Sequence, residues 1–397
     1  MINTSTLSQS KIVLLLSYIT IASISAAIIT PGLPLIEHSY ELGHGALEWV
    51  ISIYLLGYML GQLIYGPLAN QFGRLWALRC GLLLNLLGIL LCLGSIYSLN
   101  YSLLLTGRLI TALGAASGLT CTFMLLNELL TKEQALRAMS FTIVAFTLGI
   151  GAAVVVGGMI SQYLFWGDCF WLLLIHGLVM LALTWQFPET LTKSVKISVK
   201  TVVHNYLHAI KSTQLVAASF IVALTSVVSY SYSAAAPLYA HMQLHLTSGG
   251  YGIWNIINMV GMLASGFVSS YLMPRYTVNS ILKFGMMMII PCIVSLLLLY
   301  FSTAEHPYWF FLTTALLYFF SGCIYPSASY LASNAISDKA SAASMMSFIN
   351  MGSAMTAVVM LGYLPLSPLM GLIITIVAFF VLANVMAGWL NLYRGKR

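Results

Sequence analysis

Lysine and arginine are confined to alternate gaps between long apolar segments, and that placement dictates how the chain can be threaded. Of the 16 such residues, only Arg108 lies deep inside an apolar segment. The others fall in or beside short gaps and at the two chain ends: Lys11; Arg74 and Arg79; Lys132 and Arg137; Lys193, Lys196, Lys200 and Lys211; Arg275 and Lys283; Lys339; then Arg394, Lys396 and Arg397. The intervening gaps carry Glu37, Glu41 and Glu48, then Asp168, then Glu305. Short loops rich in Lys and Arg stay on the cytoplasmic side. The alternation therefore predicts an all-α integral membrane protein with both termini cytoplasmic, multi-pass in a bacterial inner membrane.

Composition agrees. The chain is 60% hydrophobic and only 6% charged, whereas soluble domains carry roughly 25% charged residues. A spanning helix needs about 20 apolar residues, and twelve such stretches are present: 12–36, 47–69, 76–96, 101–127, 137–161, 168–187, 213–240, 249–273, 279–301, 307–333, 341–363 and 367–391. Barrel strands are short and alternate apolar with polar residues, which this pattern excludes. The first stretch lacks a small-residue cleavage site and reads as a retained helix. The net charge of +7 needs no nucleic-acid partner, because basic loops facing anionic lipid account for it. The six cysteines show no CxxC or metal-like cluster, so neither a metal site nor a cofactor is expected.

The longest polar interruption, 188–212, carries four lysines and divides the segments six and six. It reads as a basic cytoplasmic linker on the membrane surface, between an N-terminal bundle (1–187) and a C-terminal bundle (213–397). Two six-helix bundles around a midplane site form a transporter layout. No gap is long enough for a soluble catalytic domain, so an enzyme is excluded and a non-transporting scaffold is disfavoured.

Residues 66–74 read Gly-Pro-Leu-Ala-Asn-Gln-Phe-Gly-Arg between the second and third segments. This resembles the G-x-L-a-D-r-x-G-r loop of the major facilitator superfamily. With Pro31-Gly32-Leu33-Pro34 and the stretch Ile53 to Tyr65, it is most similar to the bicyclomycin/chloramphenicol-resistance (Bcr/CflA) drug:proton antiporters. The resemblance implies the major facilitator fold and a cytoplasmic gate around Gly66, Asn70, Gly73, Arg74 and Glu128. Gly66 and Gly73 suit close helix approach and a tight turn. Asn70 replaces the family's Asp, and Asn127-Glu128 stands where Arg-Asp is common, so Arg74 with Glu128 is the pair expected to remain. The family's antiporter signature on the fifth helix is matched only in its small residues Gly149, Ala153, Gly157 and Gly158, a stripe that suits close packing. Its Gly-Pro is replaced by Ala153-Val154.

Arg108 lies about 10 Å from the outer end of the fourth segment at 1.5 Å per residue. An unpaired charge there costs several kcal/mol. It must face a wet cavity, a polar partner or an anion, or else bond carbonyls structurally. Polar stripes within apolar helices suggest a cavity lining: Tyr54, Tyr58 and Gln62; Thr111; Ser226, Tyr230 and Ser233; Asn255 and Asn258; Tyr318, Ser321 and Tyr325; Ser347 and Asn350. Interhelical hydrogen bonding uses the same residue types. No Asp or Glu lies deep in a span, and His176 reads as structural.

These features predict a monomeric secondary transporter: an alternating-access exporter of small amphipathic or anionic molecules, drug-like or siderophore-like, with protons as a candidate coupling ion. A facilitator or importer of an anionic nutrient is the alternative.

Overall fold

A computed structural model of the chain describes residues 8–43, 45–191, 194, 198–302 and 305–390. Of the basic residues counted above, Lys193, Lys196, Arg394, Lys396 and Arg397 lie outside the described residues, as do the side chains of Lys132 and Arg137.

Among the described residues, twelve helices are long and apolar enough to cross a membrane. They are α1 (Thr20–Ser39), α2 (Trp49–Phe72), α3 (Arg74–Ser98), α4 (Tyr101–Leu129), α5 (Thr142–Tyr163), α6 (Asp168–Gln186), α7 (Thr213–Met242), α8 (Ser248–Leu272), α9 (Val278–Ser302), α10 (Pro307–Ser333), α11 (Lys339–Tyr363) and α12 (Pro368–Trp389). Among the described residues there is no strand. The protein is a multi-pass membrane protein.

Local chemistry sets the breaks. Pro31 and Pro34 interrupt α1, which passes through a 3-10 turn at Thr30–Gly32, since proline supplies no amide donor. The fifth segment, expected to begin at 137, begins later. Thr131 and Gln134 form a capping box that starts a separate helix, Lys132–Ser140, and the chain turns at Phe141 before α5. That short helix has a polar mean composition, which keeps it out of the apolar span.

The first six spans pack chiefly among themselves, α4 against both α2 and α3. The last six do likewise, with α7 against α10, α11 and α12 and with α8 and α9 against α10. Helices α3, α6, α9 and α12 lie outermost. Each shows a stripe of exposed apolar side chains, such as Leu83, Leu87 and Leu90 on α3 and Met287, Ile290, Val294 and Leu298 on α9, which suits a lipid-facing surface. The remaining eight surround a central cavity.

One end of the bundle holds the Arg74, Lys211, Arg275 and Lys339 loops, and is called here the basic end. At the opposite end the two sets of six helices meet closely. A Cβ on Gly158 of α5 would stand 2.6 Å from the Ser248 carbonyl of α8. Thr247 donates to Gln162 Oε1 at 2.9 Å. Trp49 of α2 donates to the Tyr363 hydroxyl of α11 at 3.2 Å, and the α1 break packs against α7.

Candidate functional site

A cavity of about 480 Å³ lies between the two sets of helices, lined from α1, α2, α4 and α5 on one side and from α7, α8, α10 and α11 on the other. It extends toward the basic end, reaching Phe123, Met139, Ser270 and Met273, and is closed at the opposite end by the contacts above. Its lining contains no Asp, Glu, Lys, Arg or His among the described residues. Tyrosine, asparagine, glutamine, serine and threonine supply the polar groups, and five methionines (Met139, Met259, Met262, Met273 and Met351) share the apolar lining with aliphatic side chains and two phenylalanines. A flexible, polarizable thioether wall adapts to varied apolar shapes.

Eleven of the sequence-predicted lining residues border this cavity: Tyr58, Gln62, Ser226, Tyr230, Ser233, Asn255, Asn258, Tyr318, Tyr325, Ser347 and Asn350. Ser321 does not, and neither do three others. Tyr54 turns away because a four-residue step advances a helix by about 400°, so the stripe drifts about 40° per turn. Its hydroxyl donates to the Ala22 carbonyl at 2.9 Å. Thr111 faces α3, where its backbone carbonyl accepts from Asn85 at 2.8 Å and its backbone meets Gly88.

Arg108 is the third and the most consequential. It is 1% exposed and spans from α4 to α1 and α2, donating to the Ser25 carbonyl at 2.7 Å and to the Val50 carbonyl at 3.3 Å. Its guanidinium carbon lies 4.3 Å from the centroid of the Tyr54 ring. The charge is therefore held by carbonyl dipoles and a π face, not presented to the cavity.

In the second set of helices Tyr232, Asn255, Asn258 and Thr314 form a closed network. Tyr232 donates to Asn255 at 3.0 Å, Asn258 donates to Tyr232 at 2.6 Å, and Thr314 donates to Asn258 at 2.9 Å. Asn255 sits where α8 breaks between Ser248–Trp254 and Ile256–Leu272. Tyr232 and Thr314 carry no polar periodicity of their own, and sequence reasoning passed over them.

At the basic end, Arg74 pairs with Glu128 at 2.7 Å and donates to the Ala69 carbonyl at 2.8 Å, closing the last turn of α2. Gly73 holds φ at +122°, a backbone position that favours glycine. Gly66, by contrast, has no neighbour within 4 Å of an added Cβ, so no close helix approach depends on it. Asn70, four residues before Arg74, is half-buried.

Sequence reasoning missed Glu189. Its carboxylate accepts from the amides of Arg74 (2.9 Å) and Leu75 (3.0 Å) at the start of α3, and from Thr190 (2.9 Å) and Leu191 (3.1 Å) in its own segment. Burial pushes the Glu189 carboxyl up, but these backbone donors outweigh it and hold the group below its ordinary value. Thr190 also donates to Glu128. An anion absent at Asn70 is thus supplied to this loop by Glu189, 115 residues beyond Arg74.

Among the helix-5 small residues, Gly149 and Gly157 abut Ser23 and the Ile28 carbonyl of the α1 segment, Gly158 abuts α8, and Ala153 is 3% exposed. Glu37 is exposed at the end of α1, Glu48 lies beside Gly362, and His176 is half-buried on peripheral α6. None of the three borders the cavity.

This arrangement has a clear set of relatives. Residues 15–360 match the sequence profile of the Major Facilitator Superfamily. The chain belongs to that family. The quinolone resistance protein NorB of Staphylococcus aureus (strain JH9) is 31% identical over 165 residues, covering 42% of this chain and 35% of that protein. NorB of strain Newman matches to the same extent. The chain therefore spans about a third of the length of the curated relatives it matches. The crystal structure of a D-xylose-proton symporter shares the fold with a TM-score of 0.74 at 15% identity, covering 97% of each chain. A bacterial homologue of the human lysosomal transporter Spinster, in an inward-facing and unoccupied conformation, gives 0.66 at 15% identity over 97% of this chain and 96% of that one.

Proposed function

We propose that this major facilitator protein is an alternating-access exporter of small, uncharged amphipathic molecules in a bacterial inner membrane. The observation that carries the reading is a cavity of about 480 Å³ bordered by both sets of six helices and free of ionisable side chains among the described residues. That volume suits a drug-sized ligand.

Residues 1–187 and 213–397 form the two rocking bundles, joined by the 188–212 linker. By the positive-inside rule the basic end faces the cytoplasm, where anionic lipids meet its lysines and arginines. The cavity reaches that end, and the opposite end is packed shut, so the conformation is inward-open. Arg74, Glu128 and Glu189, with Asn70 beside them, form the cytoplasmic latch that stabilises one state over the other. The sequence likeness to NorB, a quinolone resistance protein, supports a drug-like substrate. The loop at 66–74 and the Pro31–Pro34 turn support placement near the Bcr/CflA antiporters.

The anionic-substrate reading is the weaker one. It rested on Arg108 as counter-ion, and Arg108 is spent on the Ser25 and Val50 carbonyls. An anion in this cavity would meet no cation.

The test is efflux of a panel of neutral, anionic and cationic fluorophores from a transporter-deficient strain expressing the protein, repeated as uptake into inverted vesicles. Saturable movement of neutral amphipaths out of cells supports the proposal. Net import, or a preference for anions, favours the nutrient importer.

A further inference from the structure

Two amide side chains border the cavity with buried acceptor oxygens that nothing satisfies. Gln62 is 9% exposed and Asn350 4% exposed. Gln62 Oε1 and Asn350 Oδ1 have no hydrogen-bond partner among the described residues. The Gln62 amide already shares a hydrogen bond with the Tyr58 hydroxyl, so its free position is the carbonyl oxygen. Both residues border the cavity, from α2 and α11, helices that belong to different halves and pack against each other. Their depths agree. At 1.5 Å per residue, Gln62 lies about 15 Å from the basic end of α2, and Asn350 about 16 Å from that of α11.

A buried carbonyl oxygen without a donor has given up its water and gained nothing in return. One such atom could be incidental. Two at the same depth, on facing helices and beside the same cavity, form an incomplete site that a ligand completes once rotation of the amides turns the buried oxygens toward it. The missing groups are donors, N–H or O–H.

We propose that Gln62 and Asn350 are a paired acceptor site that selects uncharged substrates carrying a hydroxyl or N–H donor on an apolar body. The apolar part would lie along the methionine wall. Charged ligands are disfavoured from both signs. An anion brings further acceptors to a site already made of acceptors, and no cation is at hand. An ammonium could donate, but its charge would sit near the membrane midplane without a carboxylate. Because the two acceptors belong to different halves, a donor-bearing ligand bridging them would also report on how the halves approach.

The flux arm of the test rests on the transporter reading, whereas the binding arm does not. The probes are 4-hydroxybiphenyl, its methyl ether 4-methoxybiphenyl, and biphenyl-4-carboxylate, each titrated against the purified full-length protein by intrinsic tryptophan fluorescence. A site built around a donor rejects the analogue lacking it far more strongly than a simple apolar pocket does. The wild type should bind the phenol at least about tenfold more tightly than the ether, and the carboxylate not measurably. In Gln62→Met with Asn350→Leu, the ratio should fall to about one. A wild-type elution profile and thermal midpoint show that the variant is folded. Equal binding of phenol and ether by the wild type, or binding of neither, contradicts the proposal. So does an unchanged ratio in the double variant. Discrimination in binding without saturable flux in liposomes would keep the acceptor pair and remove the transporter reading. Saturable flux without discrimination would do the reverse.

Discussion

The Tyr206 hydroxyl donates a 3.1 Å hydrogen bond to the Leu63 carbonyl, the acceptor that Pro67 leaves without its helical partner. Proline at position i removes the donor to carbonyl i−4, and Pro67 lies inside α2. Tyr206 belongs to the linker helix Val199–Ala209. The linker is thus tied to the first half at the defect in α2. Ala209, buried, packs with Leu215 and Ala342 of the second half.

Tyr206→Phe should cost about 1–2 kcal/mol by leaving the Leu63 carbonyl unsatisfied. It should also raise hydrogen exchange selectively in residues 199–209. Exchange in that helix equal to wild type would show that Tyr206 does not fasten it.

Arg108 is expected to govern assembly of α1, α2 and α4 and not substrate choice. Arg108→Ala removes a charged donor from two buried carbonyls, at about 3 kcal/mol. The thermal midpoint in detergent should fall, and Arg108→Lys should restore only part of it, since lysine lacks the planar fork. Normal stability with a selective loss of anion binding would return Arg108 to the cavity.

Glu189 makes the latch sensitive to acid. Its folded carboxyl is held below its ordinary value, so its contribution is complete above the unfolded-state pKa and is lost as pH falls through the folded one. Thermal midpoints measured from pH 7 downward should decline more steeply for the wild type than for Glu189→Gln. Parallel curves would mean that the carboxylate does not stabilise the start of α3.

Closure of the end opposite the basic loops depends on Gly158. An added Cβ would stand 2.6 Å from the Ser248 carbonyl and 3.3 Å from its carbon, so backbone must move. Gly158→Ala should shift the population toward the state open at that end. Spin-label distances between the outer ends of α5 and α8 should lengthen, and an unchanged distribution would count against a closing role.

The helices were legible because bilayer thickness imposes a length on apolar segments. Observed spans such as Tyr101–Leu129 and Pro307–Ser333 begin where the hydropathy boundaries predicted. The lining was partly legible, since Tyr58 and Gln62 show a one-sided stripe. Arg108 misled because isolation along the sequence says nothing of carbonyls on α1 and α2 that approach only in the fold. Glu189 was hidden for the same reason. It is one acid in a basic linker, and its partners belong to a helix start more than a hundred residues earlier.

The central claim is that an uncharged cavity moves uncharged molecules without a titrating group of its own. Purified protein in liposomes carrying an internal pH dye, given 4-hydroxybiphenyl on one side, tests it most directly. The account predicts saturable flux, little change in rate between about pH 6 and pH 8, and weak proton movement. Strong substrate-dependent proton movement that disappears when one carboxylate, Glu37, Glu48 or Glu128, is neutralised would contradict it.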